Sequence, residues 1–198
     1  MIPVFDIGMV VIEWNPRHLY RQIFADPETM EWFLAEVCHP AWNLEMDRGM
    51  SFDDGVAEAV ARHPDYAREI ALYRDRWADM VPGALSGTVD LIEELAEKGV
   101  PLYAITNWNG DTFRATQARF PVFNRFRDIV VSGDEGLLKP DPEIYRLLLN
   151  RNGLAAADCL FIDDSLKNVQ GAEAVGMAGH HFTSPEALRA DLAARGIL

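Results

Sequence analysis

The chain has 198 residues, 49% of them hydrophobic, with 31 acidic against 18 basic side chains and a net charge of -13. That length holds one sizeable core with a smaller appendage; the hydrophobic content excludes a disordered chain, and the charge excludes nonspecific nucleic-acid binding, which needs a basic surface. Two cysteines are too few for a disulfide framework, no stretch is apolar for long enough to span a bilayer, and no charged-then-apolar leader precedes the first strand, so a cytoplasmic, soluble protein is expected.

In chain order, a β-rich run at Ile2–Phe5 comes first and ends on Asp6. From about Asn15 to Val81 no convincing strand follows, but amphipathic helical patterns cover Pro16–Phe24, Pro27–Val37, Phe52–Arg62 and Tyr66–Asp79. Trp42–Gly49 reads as a loop-like stretch between them, and Pro82-Gly83 punctuates the end of this region. Beyond it, strands at Pro101–Ile105, Asp128–Val131, Cys159–Ile162 and Gly179–Phe182 alternate with helices at Leu85–Lys98, Thr112–Arg119, Pro142–Asn152, Lys167–Val175 and Pro185–Arg195. Such alternation calls for βαβ units and a parallel sheet, so an α/β fold is expected. Residues 1–14 and 82–198 are assigned to that core and residues 15–81 to a helical insert. An insert at this point hangs over the carboxyl end of the first strand, where it can exclude water and select a substrate.

Ligands bind at the carboxyl ends of the strands in such sheets. Chain order delivers to that edge Asp6, the Thr106-Asn107 pair, Lys139 within Gly136–Pro142, and the acidic pair Asp163-Asp164. A carboxylate, a hydroxyl, an ammonium and two further acids suit nucleophilic attack on a phosphoryl group beside a magnesium ion, which takes oxygen ligands. Asp6, the backbone carbonyl of Gly8 and a carboxylate from Asp163-Asp164 form a credible ligand set for Mg²⁺. The Thr106 hydroxyl and the amides of the following turn can hold phosphate oxygens, and Lys139 can balance the charge of Asp6 and phosphate.

The ordered segments Phe5–Val10, Ile105–Asn107, Gly136–Pro142 and Phe161–Ser165 resemble the four motifs of the haloacid dehalogenase-like (HAD) hydrolase superfamily, and the resemblance covers nearly the whole chain. It implies a Rossmann-like sheet of strand order 3-2-1-4-5, a small helical cap of the C1 type, dependence on Mg²⁺, and a phospho-aspartyl intermediate on Asp6. By position in the fourth motif, Asp164 would be the direct metal ligand and Asp163 a ligand through water, with Ser165 and Asn168 supporting the loop. The run from Phe5 through Trp14-Asn15-Pro16 looks like the branch that holds sugar-phosphate phosphatases and the N-terminal domain of soluble epoxide hydrolases.

One position departs from the usual pattern. The family normally has a second aspartate two residues after the nucleophile, as general acid and base, and here that residue is Gly8. Glu13 and Asp47 are the candidate replacements. The expected activity is hydrolysis of a small phosphorylated metabolite, such as a sugar phosphate, by a monomer or homodimer. A metal-free 2-haloacid dehalogenase and a weakly active binding protein are the alternatives, the first disfavoured by the Asp163-Asp164 pair. Trp42, Asp47, Arg48 and Trp108 are the candidates for substrate contact, since aromatic faces stack on rings and arginine contacts phosphate. Trp14, Trp32 and Trp77 are expected to pack within the insert or its hinge.

Overall fold

A computed structural model describes all 198 residues. Five strands, β1 (Ile2–Phe5), β2 (Tyr103–Thr106), β3 (Asp128–Val131), β4 (Cys159–Asp163) and β5 (Ala178–His181), form one sheet in the order β3-β2-β1-β4-β5. Every pairing is parallel, with β1 central, Phe5 opposite Ala104 on one side and Ile162 on the other. This is the expected strand order.

The strands are apolar throughout because both faces are covered. Side chains alternate between faces: Phe5, Ala104, Leu160 and Ile162 join one cluster, while Val4, Tyr103, Ile105 and Phe161 join the other. The first cluster packs beneath α6 (Ser86–Glu97) and α11 (Pro185–Ala194) through Leu91, Ile92, Leu95, Leu188 and Leu192. The second packs beneath α9 (Pro142–Asn152) and α10 (Leu166–Ala174) through Ile144, Tyr145, Leu148 and Ala172. Helix α9 carries its own boundary signals: Asp141 accepts from the Glu143 amide, Pro142 opens the first turn, and Gly153 closes it with φ of 63°.

Between β1 and β2 the chain builds an insert of α1 (Arg17–Tyr20), α2 (Pro27–Trp32), α3 (Pro40–Asp47), α4 (Phe52–Arg62) and α5 (Ala67–Asp75). Its interior is aromatic: Tyr20 lies 5.0 Å from Phe33, and Trp42 meets Tyr73 edge-on at 5.0 Å. Three expectations are corrected here. The stretch expected as a loop, Trp42–Gly49, is largely α3: His39 Nδ1 accepts from the Trp42 amide, Pro40 pre-sets the first turn, and Trp42 and Met46, one helical turn apart, are both buried. The helix expected over Tyr66–Asp79 ends at Asp75 and gives way to a 3₁₀ turn at Trp77–Met80. The helix expected over Pro16–Phe24 shortens to Arg17–Tyr20, and Phe33–Val37 continues α2 as a π-turn, which turns Phe33, Leu34 and Val37 inward.

Polar contacts hold the C-terminal end of α3 on the sheet domain. Asn109 caps α7 (Gly110–Gln117) by accepting from the amides of Asp111 and Thr112, and its Nδ2 donates to the carbonyls of Met46 and Met50, each at 3.3 Å. Ser132 begins α8 (Ser132–Glu135); its Oγ donates to the Asp47 carbonyl at 2.5 Å and accepts from the Trp108 amide at 2.9 Å. Gly49, with φ of 115°, lets the chain pass close to Gly133: a Cβ there would sit 3.1 Å from the Gly133 carbonyl oxygen.

Candidate active site

Asp6 follows β1 directly. Its amide continues the ladder to the Ile162 carbonyl at 2.7 Å, which fixes the backbone, and its Oδ1 accepts from the Ile7 amide at 2.6 Å. Lys139 reaches the same oxygen: Nζ lies 2.7 Å from Asp6 Oδ1 and 2.7 Å from Asp163 Oδ2. Only 4% of Lys139 and none of Asp163 is exposed. An ammonium is buried at such a place only when paired and hydrogen-bonded.

Asp163 ends β4, and the protein uses both of its oxygens. Oδ1 accepts from the Ser165 amide at 2.8 Å, Oδ2 from Lys139, and Asn168 Nδ2 lies 3.1 Å from each. Asp164, the next residue, has an exposed side chain outside this network, while its backbone carbonyl meets His181 Nε2 at 2.9 Å. One oxygen from each of Asp6, Asp163 and Asp164 falls within 4.8 Å of the others.

Burial pushes the Asp6 carboxyl up to about 8, with Lys139 pulling against the rise and the charges of Asp163 and Asp164 adding to it. Burial would lower Lys139, but Asp6 and Asp163 outweigh it and hold the ammonium above its ordinary range. Asp164, at the rim of the cluster, is raised by partial loss of water around its carboxyl and by Asp163, with Lys139 pulling against the rise. With all three carboxyls ionised, their charges would exceed that of the one ammonium by two, which a small cation between their oxygens would offset. The donor set therefore fits a hard divalent ion such as Mg²⁺.

Thr106 ends β2 beside this cluster in the sheet order and is buried. The Asn107 side chain faces Lys139. Its Oδ1 accepts from the Lys139 amide at 2.8 Å and its Nδ2 donates to the Lys139 carbonyl at 3.1 Å, so the side-chain amide is occupied in holding the lysine. The Trp108 amide is likewise taken, by Ser132 Oγ.

A cavity of about 140 Å³ opens at Gly8. Gly8, Met9, Asn107 and Trp108 line it from the sheet domain, Asn43, Asp47 and Trp77 from the insert, and Trp14 from the hinge between them. The Trp14 and Trp77 rings lie 6.0 Å apart, and Trp77 and Trp108 6.2 Å apart. Of the four residues singled out for substrate contact, Asp47 and Trp108 reach this cavity. Trp42 does not: it is buried, its Nε1 donating to the Gly55 carbonyl at 2.9 Å. Arg48 stands exposed beside Glu45 at 4.0 Å. Glu13 pairs with His18 at 2.7 Å and is absent from the cavity wall. Trp14 and Trp77, expected only to pack, pack against each other and also line the cavity. Trp32 packs within the insert against Tyr66, their ring centres 5.5 Å apart, and its outer side is exposed.

The sequence suggests no role for Ser132 or Asn43, and Asn109, a candidate pocket residue beside Trp108, grips the insert and is not in the cavity wall. Ser132 and Asn109 each sit just beyond a strand, where a polar residue reads as a helix cap, and nothing in their spacing announces the insert they grip.

A profile of haloacid dehalogenase-like hydrolases matches residues 15–176. The chain belongs to this family. Among its relatives, a sesquiterpene phosphatase of Aspergillus oryzae is 30% identical over 182 residues, covering 91% of this chain and 88% of that protein. A 5'-nucleotidase of Pseudomonas aeruginosa is 33% identical over 144 residues, 70% of this chain and 62% of the relative. In three dimensions, a HAD-family enzyme of Bacteroides thetaiotaomicron solved as a magnesium complex superposes with a TM-score of 0.72 at 19% identity, over 92% of each chain. An L-2-haloacid dehalogenase of Xanthobacter autotrophicus superposes at 0.64 and 20%, over all of this chain and 85% of the other. No helix is long and apolar enough to cross a membrane.

Proposed function

We propose that this member of the family is a Mg²⁺-dependent phosphatase of small phosphorylated metabolites that works through a phosphorylated Asp6. The observation that carries this reading is the convergence of Asp6, Asp163 and Asp164 on one spot, with Lys139 shared between the first two. Relatives named as phosphatases support it.

Asp6 presents one oxygen to Lys139 and to the Ile7 amide, which leaves Oδ2 as the attacking atom. Lys139 stays protonated and lowers the repulsion between that carboxylate and a dianionic phosphate. The Thr106 hydroxyl donates to a phosphoryl oxygen, and Asn107 acts indirectly by fixing the Lys139 backbone. Bound among Asp6, Asp164 and the Gly8 carbonyl, with Asp163 behind a water, Mg²⁺ would supply charge neutralisation at the phosphoryl group. Water then cleaves the aspartyl phosphate and frees Asp6.

The cavity sets the substrate. Three indoles and Met9 suit a leaving group with an apolar or planar face, which accords with relatives named for sesquiterpene and nucleotide substrates. Residues 15–81 act as the lid over it. A screen of phosphate monoesters with and without Mg²⁺, with Asp6→Asn as control, tests the proposal. Turnover that needs Mg²⁺ and disappears in the variant supports it. Metal-independent release of halide from a 2-haloacid, or no turnover of any ester, overturns it.

A further inference from the structure

We propose that the carboxyl of Asp47, carried by the insert, is the acid–base group of this site, doing the work for which Gly8 has no side chain; the proposal rests on the phosphatase reading above. Asp47 and Gly8 line the same small cavity from opposite domains. Gly8 stands two residues after Asp6 and Asn107 directly after Thr106, so the cavity borders the place where an ester attacked by Asp6 would sit.

Asp47 is held as a working group would be. Its backbone carbonyl accepts from Ser132 Oγ at 2.5 Å, and Ser132 is itself fixed by the Trp108 amide. Its Oδ2 accepts from Asn43 Nδ2 at 2.9 Å, and Asn43 Oδ1 accepts from the Tyr73 hydroxyl at 3.0 Å. The side chain is 7% exposed and has no cation beside it within salt-bridge distance. Burial raises its carboxyl to about 7, so that a proton is present near neutral pH and can be given up and regained.

The step balances. As Asp6 Oδ2 bonds to phosphorus, the bond from phosphorus to the ester oxygen breaks, its electron pair stays on that oxygen, and the Asp47 proton transfers there to give the alcohol. As water then attacks the aspartyl phosphate, Asp47 takes a proton from it, the bond between phosphorus and Asp6 breaks, and inorganic phosphate leaves. Asp6 returns as carboxylate and Asp47 as carboxylic acid.

The test is a leaving-group series on the full chain with Mg²⁺, from p-nitrophenyl phosphate through phenyl phosphate to an alkyl phosphate. The wild type is expected to show a shallow dependence of kcat/KM on leaving-group basicity. Asp47→Asn should make it steep, with a loss of about 10²–10⁴-fold on the alkyl ester and at least about tenfold less loss on the nitrophenyl ester. Adding Gly8→Asp should then recover alkyl hydrolysis: a Cβ at Gly8 meets no atom within 4 Å, so the side chain has room. A steep slope already in the wild type overturns the proposal without any variant. So does a loss in Asp47→Asn that is equal across the series, which would mark a structural residue. If wild-type turnover of p-nitrophenyl phosphate is independent of Mg²⁺, or survives in Asp6→Asn, the phosphatase reading itself has failed and this inference falls with it.

Discussion

Asn107 and Lys139 are clasped by a reciprocal pair of hydrogen bonds, Lys139 N–H to Asn107 Oδ1 at 2.8 Å and Asn107 Nδ2 to the Lys139 carbonyl at 3.1 Å. The clasp joins the end of β2 to the loop before α9, 32 residues away in sequence. It sets where the Lys139 side chain starts, and so whether its ammonium can reach Asp6 and Asp163 together.

Asn107→Ala should therefore reduce turnover through Lys139 rather than through substrate binding. A drop of about 10²-fold in kcat with little change in KM is expected, the scale on which small misplacements act. Asn107→Asp keeps the acceptor and loses the donor, and should fall between. Steady-state kinetics on p-nitrophenyl phosphate checks the order; a rise in KM alone would assign Asn107 to substrate contact.

Asp6→Asn should abolish turnover and keep the fold, since an amide matches the carboxylate in shape but is a poor nucleophile. The Ile7 amide and Lys139 can still donate to its oxygen. The expected outcome is background hydrolysis with an unchanged circular-dichroism spectrum. Appreciable residual turnover would rule out covalent catalysis by this residue.

The acidic pair should separate metal affinity from stability. Asp164 has no side-chain partners in the network, so Asp164→Asn should weaken Mg²⁺ binding, measured by titration calorimetry, while apo-protein Tm holds or rises as like-charge repulsion falls. Asp163 accepts from Lys139, Ser165 and Asn168. Asp163→Asn should lower Tm and affect metal binding less, because it removes one of the two counter-charges of a buried ammonium. Equal metal titrations for the wild type and Asp164→Asn would remove it from the ligand set.

Asp47 should leave a trace in the pH dependence of stability. Its carboxyl sits near 7 when folded, raised by burial, and near about 4 when unfolded. Between these values the folded state holds the proton and the unfolded state does not. The stability this group contributes is complete below about pH 4 and is lost as the pH rises through about 7, by up to a few kcal/mol. Asp47→Asn has no charge to bury and can still accept from Asn43. Its Tm should match the wild type near pH 4 and exceed it at pH 8. A gap that does not widen with pH would mean that Asp47 is ionised in the fold.

The sheet and the acidic cluster are legible in the order of residues along the chain. Strands buried on both faces are written as short apolar runs, helices between them carry Asp, Pro and Gly at their ends, and a parallel sheet sends Asp6, Thr106, Asp163 and Asp164 to one edge by topology alone. None of this needs knowledge of distant contacts. The insert and the wall of the cavity depend on contacts between distant residues. Trp42–Gly49 has the composition of a polar loop, yet docking on Asn109 and Ser132 and burial of Trp42 and Met46 make most of it a helix. The same docking brings Asp47 to the Gly8 cavity and carries Trp42 and Arg48 away from it, a division among close neighbours set by the 3.6-residue turn of α3. The sequence places Asn107 at the strand end but does not show that its side-chain amide is used at both ends by Lys139, on another loop. Local pattern names the residues that can do chemistry, but the partner that occupies each polar group comes from elsewhere in the chain, and only the packed fold selects it.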